Sequence, residues 1–257
     1  MTNAIKISNL QKSYGSGLVL KGIDLEVNTG EIIGYIGPNG AGKSTTIKIL
    51  IGMIPEYTGE VLVMGHDVKK SPMEVKRIIG YVPENALLYD TLSPMEYLRF
   101  LGSLYELESS HIEEKATELL RLFTLFDQKD DRMTTFSKGM KQKVLLISGM
   151  LHNPEIIFLD EPLSGLDANA VILVKEILAQ LKHAGKTIFY SSHIMDVVEK
   201  ISDRIVLINQ GTVIANGTFE ELKSQRETGS LEQIFNQLTG NTEHVSLAGE
   251  FIQVMNR

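Results

Sequence analysis

The 257-residue sequence contains no cysteine, which excludes disulfide bonds, thiolate metal sites and cysteine nucleophiles. It also lacks the ~20 mostly apolar residues that a membrane-spanning helix needs. The longest stretch without Asp, Glu, Lys or Arg has 15 residues, 205–219, and glycines and amides interrupt it. The first ten residues contain no apolar segment typical of a secretory signal. We therefore expect a cytoplasmic protein.

The sequence has no excess of positive charge. It carries 25 Lys and Arg against 32 Asp and Glu, a net charge of −7. Nucleic-acid binding depends on attraction to phosphates, so we expect no nucleic-acid partner. The composition, 43% hydrophobic and 22% charged, is that of an ordinary globular chain of one or two domains.

The pattern of apolar residues predicts strands at both ends of a helical stretch. Strands are predicted at 4–10 and 19–27, separated by a turn at 15–17. From about 92 to 152 the spacing becomes helical, with helices beginning near a Ser93–Glu96 capping box, near Ser110 with Glu113, and at Ser137. The later predicted elements are strands at 156–159, 187–191 and 204–209 and helices at 169–184 and 231–238. The sequence thus predicts an α/β framework that encloses a mainly helical insert.

Residues 37–44, GPNGAGKS, fit the phosphate-loop motif G-x-x-x-x-G-K-[ST]. The motif follows the predicted strand 31–36 and opens the predicted helix 43–50, which is the context it requires. Its glycines let backbone N–H groups converge on phosphate oxygens, and the helix N-terminus adds partial positive charge. Lys43 is expected to reach the β- and γ-phosphates, and the Ser44 hydroxyl to ligate Mg²⁺. The predicted nucleotide contacts of this loop are Gly37, Pro38, Asn39, Gly40, Ala41, Gly42, Lys43, Ser44 and Thr45.

Residues 156–161, IIFLDE, supply the carboxylates that such a loop needs. Four apolar residues predict a buried strand that ends at Asp160, and ligands of α/β sheets bind beyond the carboxyl ends of strands. Asp160 is predicted to hold Mg²⁺, directly or through water. Glu161 is placed to act as general base for the attacking water. Together with the phosphate loop, this strand indicates a P-loop NTPase.

Further segments narrow this prediction. Phe136-Ser137-Lys138-Gly139-Met140 precedes Asp160 by 20 residues, Ser164-Gly165-Leu166-Asp167 follows Glu161, and Ser191-Ser192-His193 ends the next predicted strand. Tyr14 precedes the phosphate loop by one hairpin. In this order the segments resemble the motifs of the ATP-binding cassette (ABC) ATPase family, and the resemblance covers residues 3–225.

The resemblance implies a fold and a domain organisation. It implies a RecA-like P-loop core with an N-terminal antiparallel β subdomain and an inserted α-helical subdomain at about 90–153. We therefore expect an ABC ATPase domain at 1–225, followed by a C-terminal helix and tail at 226–257.

The resemblance also implies roles for single residues. Tyr14 would stack on adenine, Ser137 and Gly139 would contact the γ-phosphate of ATP held by a second subunit, and His193 would contact the γ-phosphate as a switch. Asp167 would communicate across that dimer. Simpler roles stay open: Tyr14 packing on a strand, His193 as a core or cap residue, and Ser137 and Asp167 as helix caps.

Two segments depart from the family pattern. The signature usually reads Leu-Ser-Gly-Gly-Gln, whereas Lys138 here replaces the first glycine and Met140 the glutamine. Glu84 stands where the family usually has a glutamine that reaches the Mg²⁺ and the attacking water, so Glu84 is a predicted metal ligand. A solvent-exposed Glu84 is the alternative. Both departures resemble ABC exporters whose ATPase and permease are separate chains.

The implied function is ATP binding and hydrolysis, with ATP and Mg²⁺, in an ABC transporter. Two copies, or one copy and a homologue, would close around two ATP molecules. The chain would act at the cytoplasmic face of the membrane through a separate transmembrane permease. About 32 residues follow Gln225, too few for the regulatory domain of many importers, which favours export. The alternative is a soluble ABC ATPase of the kind that serves iron–sulfur cluster assembly.

A short apolar segment is a candidate surface for the permease. Leu87, Leu88 and Tyr89 lie in a predicted loop between the strand framework and the helical insert. They either bury against a permease helix or cover the core of the insert itself.

Overall fold

The computed structural model describes residues 3–85, 88–224 and 229–240, together with 251, 254 and 255. The described chain contains one antiparallel sheet, one largely parallel sheet, and helices packed against them. The predicted α/β class and the N-terminal antiparallel β subdomain are therefore confirmed.

The antiparallel sheet has the strand order β2-β1-β4-β5. Its first two strands meet at a turn where Gly15 has φ 56°, a left-handed conformation that glycine adopts without strain. Tyr14 pairs with Gly17 across this turn, in agreement with the predicted hairpin. The strands are β1 (Asn3–Tyr14), β2 (Gly17–Asn28), β4 (Thr58–Val63) and β5 (His66–Asp67).

The second sheet has six strands in the order β10-β9-β3-β8-β7-β6. All neighbours in it are parallel except β9 and β10. Its strands are β3 (Ile32–Ile36), β6 (Ile79–Val82), β7 (Ile156–Asp160), β8 (Thr187–Ser192), β9 (Arg204–Asn209) and β10 (Thr212–Gly217).

The central strands of this sheet are buried on both faces. In β3, Ile33 and Tyr35 belong to the hydrophobic cluster shared with the antiparallel sheet and the helix after β3. Ile32 and Ile36 belong to the cluster on the opposite face, which includes the helical insert. Successive side chains of a strand point to opposite faces, so two covered faces require a continuous apolar run.

Three aromatic rings cross the middle of the sheet on one face. The Tyr35 and Phe189 ring centroids are 5.1 Å apart, and those of Phe158 and Phe189 are 5.7 Å apart. The Tyr35 hydroxyl lies 3.3 Å from the Thr46 hydroxyl, and burial raises the pKa of Tyr35. This aromatic row joins the three strands β3, β8 and β7 below their carboxyl ends.

Helices α3 to α5 come between β6 and β7 in the chain, where the helical insert was predicted. The boundaries 1–225, 90–153 and 226–257 stay predictions, and most residues after 240 lie outside the described part. The helices are α1 (Lys43–Leu50), α2 (Pro72–Ile78), α3 (Pro94–Leu104), α4 (Ser109–Leu122), α5 (Lys138–Met150), α6 (Ala168–His183), α7 (Met195–Ile201), α8 (Phe219–Ser224) and α9 (Leu231–Thr239), with a 3-10 turn at Met133–Thr135.

Local capping explains the start of α3 but not that of α4. The Ser93 hydroxyl accepts the Glu96 N–H and the Glu96 carboxylate accepts the Ser93 N–H, so the predicted capping box is confirmed. The predicted start of α4 at Ser110 with Glu113 is wrong: α4 begins one residue earlier without a side-chain cap. Glu113 instead pairs with Arg99 of α3.

No helix in the described ranges combines the length and apolar character needed to cross a bilayer. The longest of them, α6, has 16 residues, short of the ~20 that span a hydrocarbon core.

The parallel register aligns the ends of four strands. Ile36 of β3 is level with Ser192 of β8, and Asp160 of β7 is level with Ser191. Val82 of β6 lies one residue back, beside Leu159. Because parallel strands end at the same edge, the loops after these strands meet there.

The contact between β6 and α5 gives a testable prediction for stability. A Cβ on Gly80 would lie 2.0 Å from the Gly149 carbonyl oxygen. We expect Gly80→Ala to lower the free energy of unfolding in urea by about 1–3 kcal/mol or more, because the helix must move away. In the control Gly229→Ala, the added Cβ would lie 3.8 Å from the Gln233 side-chain oxygen, so the change should stay within about 0.5 kcal/mol. Equal losses would contradict the close contact.

Candidate nucleotide-binding site

The loop between β3 and α1 leaves a helix N-terminus without a side-chain cap. Gly42 is the N-cap of α1 with φ 111°, and Gly40 has φ 81°, both in the region that favours glycine. A Cβ on Gly42 would also lie 2.6 Å from a methyl carbon of Leu20. The first-turn N–H groups of α1 can therefore face an anion.

Lys43 is buried at the start of α1 and bends back over the loop. Its ammonium group donates to the carbonyl oxygens of Gly37 at 2.7 Å and Pro38 at 3.2 Å. Burial lowers the pKa of Lys43, while the negative charges of Glu161 and Asp160 raise it, with a smaller contribution from Glu84. The side chain thus lies in the field of all three predicted carboxylates.

Asp160 ends β7 with an oxygen available for a ligand. Its Oδ1 is buried and has no hydrogen-bond partner among the described residues, and the same holds for the Ser191 hydroxyl beside it. Burial raises the pKa of Asp160 and the Glu161 charge adds to this, whereas the polar Ser44 and Ser191 hydroxyls nearby and the Lys43 charge lower it. An orphaned carboxylate oxygen near a hydroxyl is a suitable donor set for Mg²⁺.

A metal ion here would also need oxygens from its nucleotide. No three His, Cys, Asp or Glu side chains within the described ranges are grouped so that they could hold a metal ion. Mg²⁺ in phosphate-transfer sites usually takes one or two protein ligands and completes its shell with phosphate and water oxygens. Ser44 and Asp160 match that requirement.

Glu161 follows Asp160 and is held on both carboxylate oxygens. The Ser192 hydroxyl donates to Oε2 at 3.0 Å, and Nδ1 of His193 lies 2.8 Å from Oε1. Glu161 is buried and has φ 49°, an unusual conformation for a residue with a side chain. Such conformations persist where the surrounding structure enforces them, often at functional sites.

One cavity of about 450 Å³ collects most of the predicted site residues. Ala41 is buried behind the loop, and a Cβ on Gly37 would be 2.2 Å from the Ile208 carbonyl oxygen, so both support the loop from within. His193 reaches the site through Glu161. The cavity is lined by Tyr14, Val19, Asn39, Gly40, Gly42, Lys43, Ser44, Thr45, Glu84, Asp160 and Glu161.

Ser137 and Gly139 do not line this cavity. Ser137 caps α5, because its hydroxyl accepts the Met140 N–H at 3.2 Å. A Cβ on Gly139 would be 2.7 Å from the Gly165 carbonyl oxygen, so this glycine permits close contact between two loops. The Lys138 ammonium reinforces that contact by donating to the Ser164 hydroxyl at 3.0 Å. The role of Ser137 and Gly139 toward a second subunit's nucleotide stays a prediction.

Asp167 caps α6. Its carboxylate accepts the Ala170 N–H at 2.9 Å and lies 3.4 Å from the Lys143 ammonium. That hydrogen bond is the main reason that the pKa of Asp167 is lowered. The capping role that the sequence left open is therefore present.

Two residues that support the site were not predicted. In the sequence, Ser192 is part of the end of a predicted strand and carries no other signal. Its bond to Glu161 depends on the register of β8 against β7. Gln142 is fully buried in α5, and its amide donates to the Pro162 carbonyl oxygen at 3.0 Å. The sequence offers little signal for this contact, because Lys141 and Lys143 flank Gln142 and the segment resembles an exposed polar stretch.

Glu84 is exposed yet lines the cavity. Burial raises the pKa of neighbouring Tyr81 to about 12, and the charges of Asp160 and Glu84 add to this. The Glu84 charge therefore acts on the same region as Asp160. Its role as a metal ligand stays a prediction.

The chain is similar to known ATP-binding proteins. Residues 20–164 match the family model described as ABC transporter. The linearmycin resistance ATP-binding protein LnrL of Bacillus subtilis is 38% identical over 221 residues, which are 86% of this chain and 71% of that protein. The daunorubicin/doxorubicin resistance ATP-binding protein DrrA of Streptomyces peucetius is 37% identical over 223 residues, covering 87% and 68%.

Solved structures agree on the fold. A structure of an ATP binding subunit of an ABC transporter superposes with a TM-score of 0.86 at 34% identity, covering 92% of this chain and 99% of that one. CbiO1 from Clostridium perfringens, part of the complex cbiONQ, gives a TM-score of 0.75 at 23% identity, covering 97% and 100%. The predicted P-loop core is confirmed by these two likenesses.

The position of Glu84 predicts an unusual metal dependence. A carboxylate is a better ligand for a hard cation than an amide, but without the cation it repels phosphate. We expect Glu84→Gln to bind metal-free ATP more tightly and to lose part of the affinity gained with Mg²⁺. The measurement is ATP affinity with Mg²⁺ and with EDTA, in a Glu161→Gln background that blocks turnover. The same Mg²⁺ dependence in both proteins would remove the metal role from Glu84.

Proposed function

Because this chain belongs to the ABC transporter family, we propose that it hydrolyses ATP to drive export through a separate membrane permease. The observation that carries the proposal is the convergence of the phosphate loop, Lys43, Asp160 and Glu161 on one cavity of about 450 Å³. The cavity contains both the N-terminus of α1, which can face an anion, and the buried carboxylate of Glu161, which is placed to act as a general base.

The chemistry assigned to the chain is the attack of water on the terminal phosphoryl group of ATP. A bond forms between the water oxygen and phosphorus, the bond to ADP breaks, and Glu161 accepts the water proton. Ser192 and His193 hold both oxygens of that carboxylate in place. Lys43 and the first turn of α1 stabilise charge on the phosphate oxygens.

Ser44 and Asp160 would hold the Mg²⁺ that accompanies ATP, and Glu84 would join them. The ion would neutralise phosphate charge at this end of the cavity. Asp160 is fitted for this by its buried, unpartnered oxygen.

Two subunits would enclose two ATP molecules, either two copies of this chain or one copy and a homologue. Support comes from Ser137 and Gly139, which lie at a helix start that has no acidic residue in its first turn and is away from the chain's own cavity. A helix N-terminus of this kind is suited to an anion, and the partner's ATP would supply one. Closure around ATP and opening after phosphate release would drive the permease.

Export is proposed from the relatives. LnrL and DrrA are named for resistance to linearmycin and to daunorubicin or doxorubicin, and a further relative, from Cupriavidus metallidurans, is named a Nod factor export ATP-binding protein. The chain would sit at the cytoplasmic face of the membrane, held there by the permease. The iron–sulfur assembly alternative has no observation in its favour.

An aromatic patch is the proposed permease contact. Tyr89 is 63% exposed, and its ring packs edge-on against Phe100 of α3 at 5.8 Å. Phe100 is itself exposed, whereas Leu88 packs against the core of the insert. Leu87 lies outside the described residues. The permease surface predicted at 87–89 is therefore proposed as Tyr89 with Phe100, since exposed aromatic pairs are typical of interfaces.

The general-base role of Glu161 gives a prediction for catalysis. Glu161→Gln should bind MgATP, lose turnover by about 10²–10⁴-fold and accumulate as a dimer, because an amide cannot accept the proton. Phosphate release and size-exclusion chromatography with ATP measure both effects. The control Glu176→Gln, on α6, should behave as the parent. Hydrolysis by Glu161→Gln at the parental rate would exclude this role.

The aromatic patch of Tyr89 and Phe100 gives a prediction for permease binding. Burial of a large side chain is worth about 1.5–3 kcal/mol, so Tyr89→Asp should weaken binding to the permease by at least tenfold. The expected partner is a multi-span protein encoded by the neighbouring open reading frame, and the measurement is co-purification.

ATP binding by soluble Tyr89→Asp should persist, because the patch lies outside the cavity. Ile172→Asp, at another exposed apolar residue on α6, is the matched control and should co-purify normally. Retained co-purification of Tyr89→Asp would place the contact elsewhere.

A further inference from the structure

Lys12 is a buried lysine that none of the roles above uses. Only 8% of it is exposed, although lysine is among the residues least often buried. Its ammonium group donates to the backbone carbonyl of Glu56 at 2.5 Å. The Glu56 carboxylate lies 3.9 Å away but is 79% exposed, so this ion pair contributes little. The backbone contact thus fixes the position of the charge.

The fixed charge lies over an aromatic ring. The Lys12 ammonium is 4.9 Å from the centroid of the Tyr14 ring, within the ~6 Å typical of a cation–π contact. Tyr14 is 51% exposed and lines the nucleotide cavity. One face of the ring is therefore covered by a cation, while the ring still borders the cavity.

A bulge in the first hairpin brings this pair to the cavity. Lys12 is level with Leu20 and Ser13 with Leu18, so Val19 has no partner on β1. Val19 also lines the cavity. Bulges re-aim side chains and often occur beside functional sites. The irregular register directs Tyr14 and Val19 together to the nucleotide.

We propose that Lys12 is a positioning residue for nucleotide binding, which holds the Tyr14 ring by a cation–π contact so that its free face can stack on the base. The proposal rests on the proposed function, because it requires that the cavity binds ATP. Lys12 acts through Tyr14 and does not touch the nucleotide. The alternative is that Lys12 only connects β1 to the loop at Glu56, and in that case it has no effect on binding of the base.

The first test distinguishes an effect on base binding from an effect on phosphate binding. A cation–π contact of ordinary strength predicts that Lys12→Met raises KM for ATP by about two- to fivefold. Its kcat should not change, because Lys12 is remote from Glu161, and Lys12→Arg should restore KM. Inorganic tripolyphosphate has no base, so its inhibition constant should be the same for the parent and for Lys12→Met.

A strut whose loss loosens the whole site would weaken ATP and tripolyphosphate alike, and that result would overturn the proposal. An unchanged KM in a folded Lys12→Met protein would overturn it as well. A parent that binds no ATP would contradict the proposed function itself, which is a separate outcome.

The second test is a double-mutant cycle with Tyr14. In a Tyr14→Ala background, Lys12→Met should change KM no further, because the ring through which Lys12 acts is gone. Independent, additive effects would overturn the proposal.

The third test reads the ring directly. The chain contains no tryptophan, so Tyr14→Trp introduces one tryptophan at the proposed base position, which can be excited selectively over the remaining tyrosines. Removing Lys12 should alter its emission in the nucleotide-free protein, and Lys12→Arg should largely preserve it. The same emission with and without Lys12 would mean that the Lys12 charge does not contact the ring, and would overturn the proposal. This measurement does not require catalysis, so it remains informative if Lys12→Met reduces stability.

Discussion

The parallel register of β3, β8 and β7 is the constraint on which the rest of the site depends. Each strand contributes one part of the chemistry at its carboxyl end: the phosphate loop after Ile36, Ser192 and His193 at the end of β8, and Asp160 with Glu161 at the end of β7. A shift of one residue would turn alternate side chains to the wrong face and separate these groups. The continuous apolar runs fix the strands because both faces of the sheet are covered.

The site combines a permissive backbone with a restrained one. Gly42 takes a conformation that only glycine adopts easily, and this leaves the N–H groups of α1 open to an anion. Glu161 takes a left-handed conformation that costs about 1–3 kcal/mol for a residue with a side chain. Its hydrogen bonds to Ser192 and His193 offset part of that cost and hold the carboxylate. Preorganisation is thus concentrated at the group that is proposed to accept a proton.

The features that the sequence predicted are those whose residues lie close together in the chain. The phosphate loop, Asp160 and the capping box at Ser93 depend on residues within a few positions of each other, and each lies where the pattern indicated. Contacts across the chain were not readable. The bond from Ser192 to Glu161 depends on strand register, and Glu113, predicted to take part in a cap of α4, pairs with Arg99 of α3.

Two short elements were also not predicted. The short strand β6 and the helix α2 before it were not predicted separately, because four to seven residues carry too little periodicity. β6 pairs in parallel with β7, and α5 approaches it closely at Gly80, which are relations that only the fold reveals. The role of Lys138 was likewise open, since its partner Ser164 is 26 residues away.

The aromatic row of Tyr35, Phe189 and Phe158 has a mechanical consequence. These rings tie together the strands that carry the reacting groups, at centroid distances of 5.1 and 5.7 Å. Interiors packed in this way have low compressibility and transmit strain rather than absorb it. The part of the sheet that carries these three rings is therefore stiff. Under the proposed function, strain from nucleotide binding would pass to the loops after these strands and to the proposed partner subunits, rather than be lost as deformation of the sheet.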